Sequence, residues 1–250
     1  STMKTNNIKP KKQLTTSSIL NINKIWLDSA LRKLSPKIFQ SEAQLQFELA
    51  WNIKQNFNCN VFLEDLTAYE TDSKGNITHK LYTDIVVEDI ETNYRIGIEL
   101  KYKTAELKYN NIYLFNHGAL PLNRYDYLWD VNRLESLVYN KPLYNNATST
   151  TIVKPCDVGF AIILTNEKNY WMIPNPAACT IDIDFRIHQG KNLSGKLNWN
   201  PSNPYPTTVI RRNRAQPICL QGVYNCDWKT YLQLNNVKNG VFQYMILSIQ

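Results

Sequence analysis

Asp84, Glu99 and Lys101 have the residue types and spacing for chemistry on a phosphodiester. Asp84 stands in Tyr82-Thr83-Asp84-Ile85-Val86-Val87, and 15 positions later (99 − 84) comes Glu99-Leu100-Lys101. Two facing carboxylates repel unless a cation lies between them, and Mg²⁺ prefers one or two carboxylates with water and substrate phosphate. A lysine beside such a pair can orient water or bind the scissile phosphate. On its own, Glu-x-Lys on a strand is far more often the pattern of a solvated face. The Asp at hairpin spacing tips the reading toward a site.

The elements that must position these residues follow from the side-chain pattern. Residues 80–88 and 94–102 are rich in Val, Ile, Tyr and Thr, and Asp89-Ile90-Glu91-Thr92-Asn93 breaks between them, as in an antiparallel hairpin. Side chains alternate faces along a strand. Glu99, Lys101 and Lys103 share one face of the second strand, and Tyr82, Asp84 and Val86 share one face of the first. One register sets Asp84 across from Glu99 on the same side of the sheet; a slip by one residue would separate them.

Residues 41–57 read as a helix opened by Ser41, with Gln44 completing a capping box. At about 100° per residue, Ala43, Phe47, Ala50, Ile53 and Phe57 form the expected core stripe, with Gln44, Glu48, Asn52 and Gln55 facing water. Glu42 and Gln46 fall inside that stripe. A carboxylate on a core face requires a partner or a metal. The competing readings are stabilisation of the helix N-terminus by Glu42 and a satisfied core amide for Gln46.

A helix opening on Ser-Glu, a strand, Thr83-Asp84, then Ile98-Glu99-Leu100-Lys101 resembles the PD-(D/E)xK nuclease superfamily, which includes restriction endonucleases, junction resolvases and repair nucleases. The resemblance spans residues 41–165. It implies an α/β (α+β) restriction endonuclease-like αβββαβ core, a mixed central sheet flanked by helices. The helix at 41–57, strands at 60–69, 80–88 and 94–102, a helix at 124–139 and a strand at 157–165 would supply it. It also implies catalytic Asp84, Glu99, Lys101 and Glu42, and Mg²⁺ or Mn²⁺ held by Asp84, Glu99 and the Leu100 carbonyl. Thr83 stands where the motif often has Pro. Glu64 is a candidate for a peripheral acidic position, and Gln46 for a peripheral contact. Residues 125–135 and 161–166 also look like segments of uncharacterised bacterial members.

The 250 residues carry a net charge of +7, are 43% hydrophobic and 20% charged, and are enough for a substantial core. The basic charge is compatible with a polyanionic partner, here DNA. No apolar run is long enough to span a membrane, so no membrane partner is expected. No apolar core follows the N-terminal lysines, so no secretory signal is expected. Five Cys, with no Cys-x-x-Cys, point away from a zinc ribbon and toward free thiols in the cytoplasm. A homodimer is left open. His79 reads as a surface residue beside the Asp84 strand.

The remaining chain divides into a polar arm and helix (1–40) and a β-rich extension (166–250) packed on the core. Residues 18–34 read as a helix with Leu20, Ile25, Leu27, Leu31 and Leu34 inward, and 104–123 as a long connection. In helix 124–139, Leu128, Val131, Leu134 and Val138 face the core. Tyr125, Asp126, Asp130 and Arg133 are left on other faces. Arg133 is a candidate phosphate contact, with a surface ion pair to Asp130 or Glu135 as the alternative. Lys103, Arg211, Arg212 and Arg214 are candidate nucleic-acid contacts, with a solvated turn as the alternative for the arginine cluster. Thr180–His188 alternates as a half-buried strand, 189–207 reads as loops, and 240–249 as a closing strand.

Overall fold

The computed structural model describes residues 18–143, 149–202 and 213–250. A mixed seven-stranded sheet forms the centre of an α/β fold. Among the described residues there are three α-helices: α1 (Lys24–Leu34), α2 (Glu42–Asn56) and α3 (Leu120–Tyr139). The strands are β1 (Cys59–Thr71), β2 (Ile77–Asp89), β3 (Arg95–Lys103), β4 (Leu107–Tyr109), β5 (Ile112–Leu114), β6 (Ser149–Ile152), β7 (Val158–Thr165), β8 (Asn192–Leu197), β9 (Ile218–Asn225), β10 (Lys229–Gln233) and β11 (Val241–Ile249). The central order is β10-β11-β7-β3-β2-β1-β6, with β4-β5 and β8-β9 as separate two-stranded ribbons. Among the described residues, only β3 and β7 pair in parallel within the central sheet. No helix among the described residues is long and apolar enough to cross a membrane.

Two cores sandwich the sheet. On one face, Leu27 and Leu31 of α1 and Leu45, Leu49 and Ile53 of α2 pack on Ile85, Val87, Ile98 and Leu100. On the other, Leu128, Val131 and Leu134 of α3 pack with Ala161, Ile163, Met245 and β8–β9 residues such as Leu193 and Leu220. Strand β7 is buried along its whole length, as a strand covered on both faces must be. Glycines let α3 come close. A Cβ on Gly159 would lie 3.1 Å from Leu134 Cβ, and one on Gly97 would lie 3.1 Å from Leu134 Cδ2.

Several expectations need correction. In α2 the inward stripe is Leu45, Leu49, Ala50 and Ile53, while Ala43 is exposed and Phe47 is 57% exposed. The wheel was centred on Phe47, but the i, i+4, i+8 row of branched aliphatics fits the sheet. Before and within α1, Leu20 and Ile25 are 64% and 79% exposed. Tyr125, expected off the core, is buried in α3, and Val138 is only partly covered. Helix α3 starts at Leu120 with Pro121 in its first turn, where the missing N–H has no helical partner to lose. The preceding connection contains a β-hairpin whose turn, Asn110-Asn111, has φ 45° and 63°, the geometry of a two-residue primed turn.

Thr180–His188 forms no strand. Turn hydrogen bonds from Ile183 N to Thr180 O and from Phe185 N to Asp182 O coil it. Asp182 is pulled inward by Arg124 (Nη1–Oδ2 2.5 Å), leaving Ile183 exposed. The tertiary ion pair overrides the alternating pattern. Residues 192–197, expected as loop, form β8 and pair with β9 through an irregularity at Ser194/Gly195; Gly195 has φ 66° there.

Candidate active site

The sheet parts between β2 and β3, and the acidic residues gather where it does. The two strands pair from Glu88↔Arg95 to Ile85↔Ile98. The same register carried one step further sets Asp84 opposite Glu99. Beyond Ile98, the β3 amides turn to side chains: Leu100 N donates to Asp84 Oδ2 (2.6 Å), and Tyr102 N donates to Glu42 Oε2 (2.7 Å). Buried amides need partners, and here carboxylates replace the neighbouring strand. Glu42 reaches the site because Ser41 caps α2, accepting from Gln44 N, and fixes its first turn beside β3.

A second gap lies on the other side of Asp84. Pairing of β1 with β2 runs through Leu63↔Ile85 and Asp65↔Thr83 but skips Glu64. Glu64 has φ 49°, a left-handed conformation that costs a non-glycine residue about 1–2 kcal/mol. Gln46 bridges the gap: its Nε2 donates to Glu64 Oε1 (2.9 Å) and to Asp84 O (2.7 Å). The amide expected as a peripheral contact thus ties the kinked β1 to the parted β2.

Helix α3 supplies the cationic side and one further acid. Lys101 Nζ lies 2.5 Å from Asp130 Oδ2, and Arg133 Nη1 lies 3.3 Å from Asp130 Oδ1. Arg133 Nη2 lies 3.4 Å from Glu99 Oε1 and also donates to Tyr82 O. Arg133 therefore makes the ion pair with Asp130 that was the alternative reading, partly buried rather than on the surface, and also faces Glu99 and the cleft. Asp130 was not singled out from the sequence as part of the site. It stands three residues before Arg133 on a helix with two buried sides, so a single apolar stripe could not reveal it.

The electrostatics follow from this packing. Asp84, Glu99, Asp130 and Glu42 outnumber Lys101 and Arg133. Burial pushes the Asp84 carboxyl from 3.8 up to about 6; the Leu100 N–H opposes the rise, and Asp130 adds to it. Burial holds Glu99 well above the carboxylate range, against the pull of Arg133, with Asp130 and Asp84 pushing it further. Burial lowers Lys101, but pairing with Asp130 outweighs it and the ammonium ends above its ordinary value. Glu99 is only 2% exposed, and its Oε1 receives no well-directed hydrogen bond.

Asp84 opens into a cleft of about 390 Å³ lined also by Glu64, His79, Lys80, Tyr82, Trp129 and Arg133. His79, which is exposed, sits 3.7 Å from Glu70. Lys103, at the end of β3, is half-buried and joins burial in lowering His117, which Glu42 opposes. Arg214, one of the nucleic-acid candidates, is partly exposed and ion-paired. Its guanidinium forms a paired contact with Asp126 (Nε–Oδ1 2.5 Å, Nη2–Oδ2 2.9 Å). Arg211 and Arg212 lie outside the described residues.

Among the described residues, no three Asp, Glu, His or Cys side chains form a ready metal-binding group. The donor set fits an ion that needs few protein ligands. Asp84 and Glu99 offer hard oxygens, and Glu99 Oε1 is buried without a hydrogen bond; Mg²⁺ is bound through one or two carboxylates with the rest supplied by water and phosphate. The chain matches no family model, no curated protein and no solved structure.

Proposed function

We propose that this chain is a metal-dependent nuclease that hydrolyses DNA phosphodiester bonds. The observation that carries the reading is the parting of β2 from β3, which gathers Asp84, Glu99, Lys101 and Glu42, with Asp84 opening into a cleft. The succession α2-β1-β2-β3-α3-β7, with β7 parallel to β3, supports the restriction endonuclease-like core implied by the sequence.

Asp84 and Glu99, with the Leu100 carbonyl, would hold Mg²⁺ or Mn²⁺. Bound there, the ion would lower the pKa of water and neutralise charge developing on the phosphate. Lys101 has three donors and gives one to Asp130 and a long one to Leu100 O (3.5 Å), so one is left to orient water or a phosphate oxygen. Glu42 fixes the Tyr102 amide and sets the outer wall. Five cysteines without a disulfide support a reducing, cytoplasmic setting.

The test is cleavage of supercoiled, linear and single-stranded DNA with Mg²⁺ or Mn²⁺, beside Asp84→Asn and Lys101→Ala. Metal-dependent cleavage lost in both variants is expected. Full activity in Asp84→Asn would sink the assignment.

One observation favours a second reading. Lys101 and Arg133 are already paired inside the protein, as in a nuclease-like module that binds DNA or protein without cutting. Titration with Mn²⁺ in a calorimeter separates the two: a non-cutting module need not bind the ion, whereas the nuclease must.

A further inference from the structure

Lys80, Tyr82 and Asp84 occupy alternate positions of β2, and all three line the cleft. Alternate residues share a face about 6.6 Å apart. A cation, an aromatic ring and a carboxylate therefore follow one another along one wall. Tyr82 is 43% exposed.

Among the described residues the exposed aromatics are Phe47, Trp51, Phe62, Tyr82, Tyr113 and Phe115. Tyr82 lines the cleft beside Asp84 and Phe62 lies on the neighbouring β1, while Phe47 and Trp51 are on the outward side of α2, Tyr113 is in β5 and Phe115 follows it. Elsewhere among the described residues, Trp199, Trp228, Phe185 and Phe242 are buried. Phe47 follows Gln46, which holds the Asp84 carbonyl, and stacks on Trp51 at 6.2 Å and 17°. Phe62 lies two residues before Glu64 and carries the Lys154 ammonium 4.5 Å above its ring. Phe115 lies two residues before His117, which is close enough to feel Glu42.

Rings alternating with cations beside a phosphodiester site suit a strand whose bases are unpaired. Every base has a face to stack, and stacking needs no sequence match. A duplex hides those faces. Resting on the nuclease reading above, we propose that the substrate is single-stranded DNA: Tyr82 stacks the base nearest Asp84, and Lys80 meets the adjoining phosphate.

The test is fluorescence anisotropy with one oligonucleotide as a single strand and as a blunt duplex, with Ca²⁺ in place of Mg²⁺. Wild type, Tyr82→Ala, Tyr82→Phe and Trp51→Ala are compared, and metal-dependent cleavage is measured in parallel with Mg²⁺. The expected result is tighter binding of the single strand. Tyr82→Ala should weaken it about tenfold, Tyr82→Phe should restore it, and Trp51→Ala should weaken it less.

Equal or tighter duplex binding, or a Tyr82→Ala variant that binds as the parent does, overturns the proposal. If Asp84-dependent cleavage persists in that case, the nuclease reading stands without it. Single-strand binding that needs Tyr82, with no cleavage under any metal, keeps the strand site and removes hydrolysis.

Discussion

At the residue scale, Asp84 couples chemistry to stability. Its carboxyl titrates at about 6 in the fold, against 3.8 ordinarily, because burial penalises the charge. The folded protein thus holds this proton more tightly than the unfolded chain, so its contribution to stability is full below about pH 4 and is lost as pH rises toward about 6. Asp84→Asn keeps an acceptor for Leu100 N and removes the buried charge. At neutral pH it should be more stable than the parent by about 1–2 kcal/mol, allowing for solvent at the cleft, and the two should converge below about pH 4. Urea melts across pH measure this, and a constant difference would contradict it. Mg²⁺ should raise the melting temperature of the parent but not of Asp84→Asn.

Lys101 and Asp130 form the site's tightest ion pair across β3 and α3. Lys101→Ala leaves a 4%-exposed carboxylate facing Arg133 alone and should cost about 3 kcal/mol. Lys101→Ala with Asp130→Asn should recover part of that loss. Additive losses in denaturant titrations would show the pair to be uncoupled.

At the element scale, the fit of α3 on the sheet sets Asp130 and Arg133 over Lys101 and Glu99. An added methyl on Gly97 meets two side-chain ends, Leu134 Cδ2 (3.1 Å) and Cys156 Sγ (3.2 Å), which can shift; on Gly159 it meets Leu134 Cβ, so the helix itself must move. Gly159→Ala should therefore cost about 1–3 kcal/mol, more than Gly97→Ala, and should reduce cleavage more. Thermal unfolding and steady-state assays decide the order, and equal effects would refute it.

What was legible in the sequence was local and periodic. Alternation fixed the faces of Asp84 and Glu99, and the Ser41 cap placed Glu42 at a helix start. What was not legible depended on contacts across the chain. Asp130 is recruited by Lys101, and Asp182 is drawn under Arg124, defeating a clean strand pattern. Phe47 is solvent-facing because the sheet accepts the aliphatic row of α2 instead. Neither sheet gap could be foreseen, since each is a relation between two strands, and the left-handed Glu64 carries no glycine to mark it.

At the scale of the whole molecule, the segment after residue 165 adds two strands, β10 and β11, to the central sheet. Strand β11 lies between β7 and β10, and Met245 and Leu247 enter the core beneath α3. A chain stopped after Gly240 would leave the buried β7 with an open edge and a hollow beside Ile163. It should lose cooperative unfolding and aggregate; a sharp calorimetric transition would contradict this. The placement of β11 also bears on the order of events at the ribosome. Strands β2 and β3 are translated early, yet the sheet that braces them closes only when Val241–Ile249 arrives to flank β7. The acidic residues and Lys101 are made long before the frame that aligns them, so on the nuclease reading proposed above a nascent chain should stay inactive until this late strand is in place.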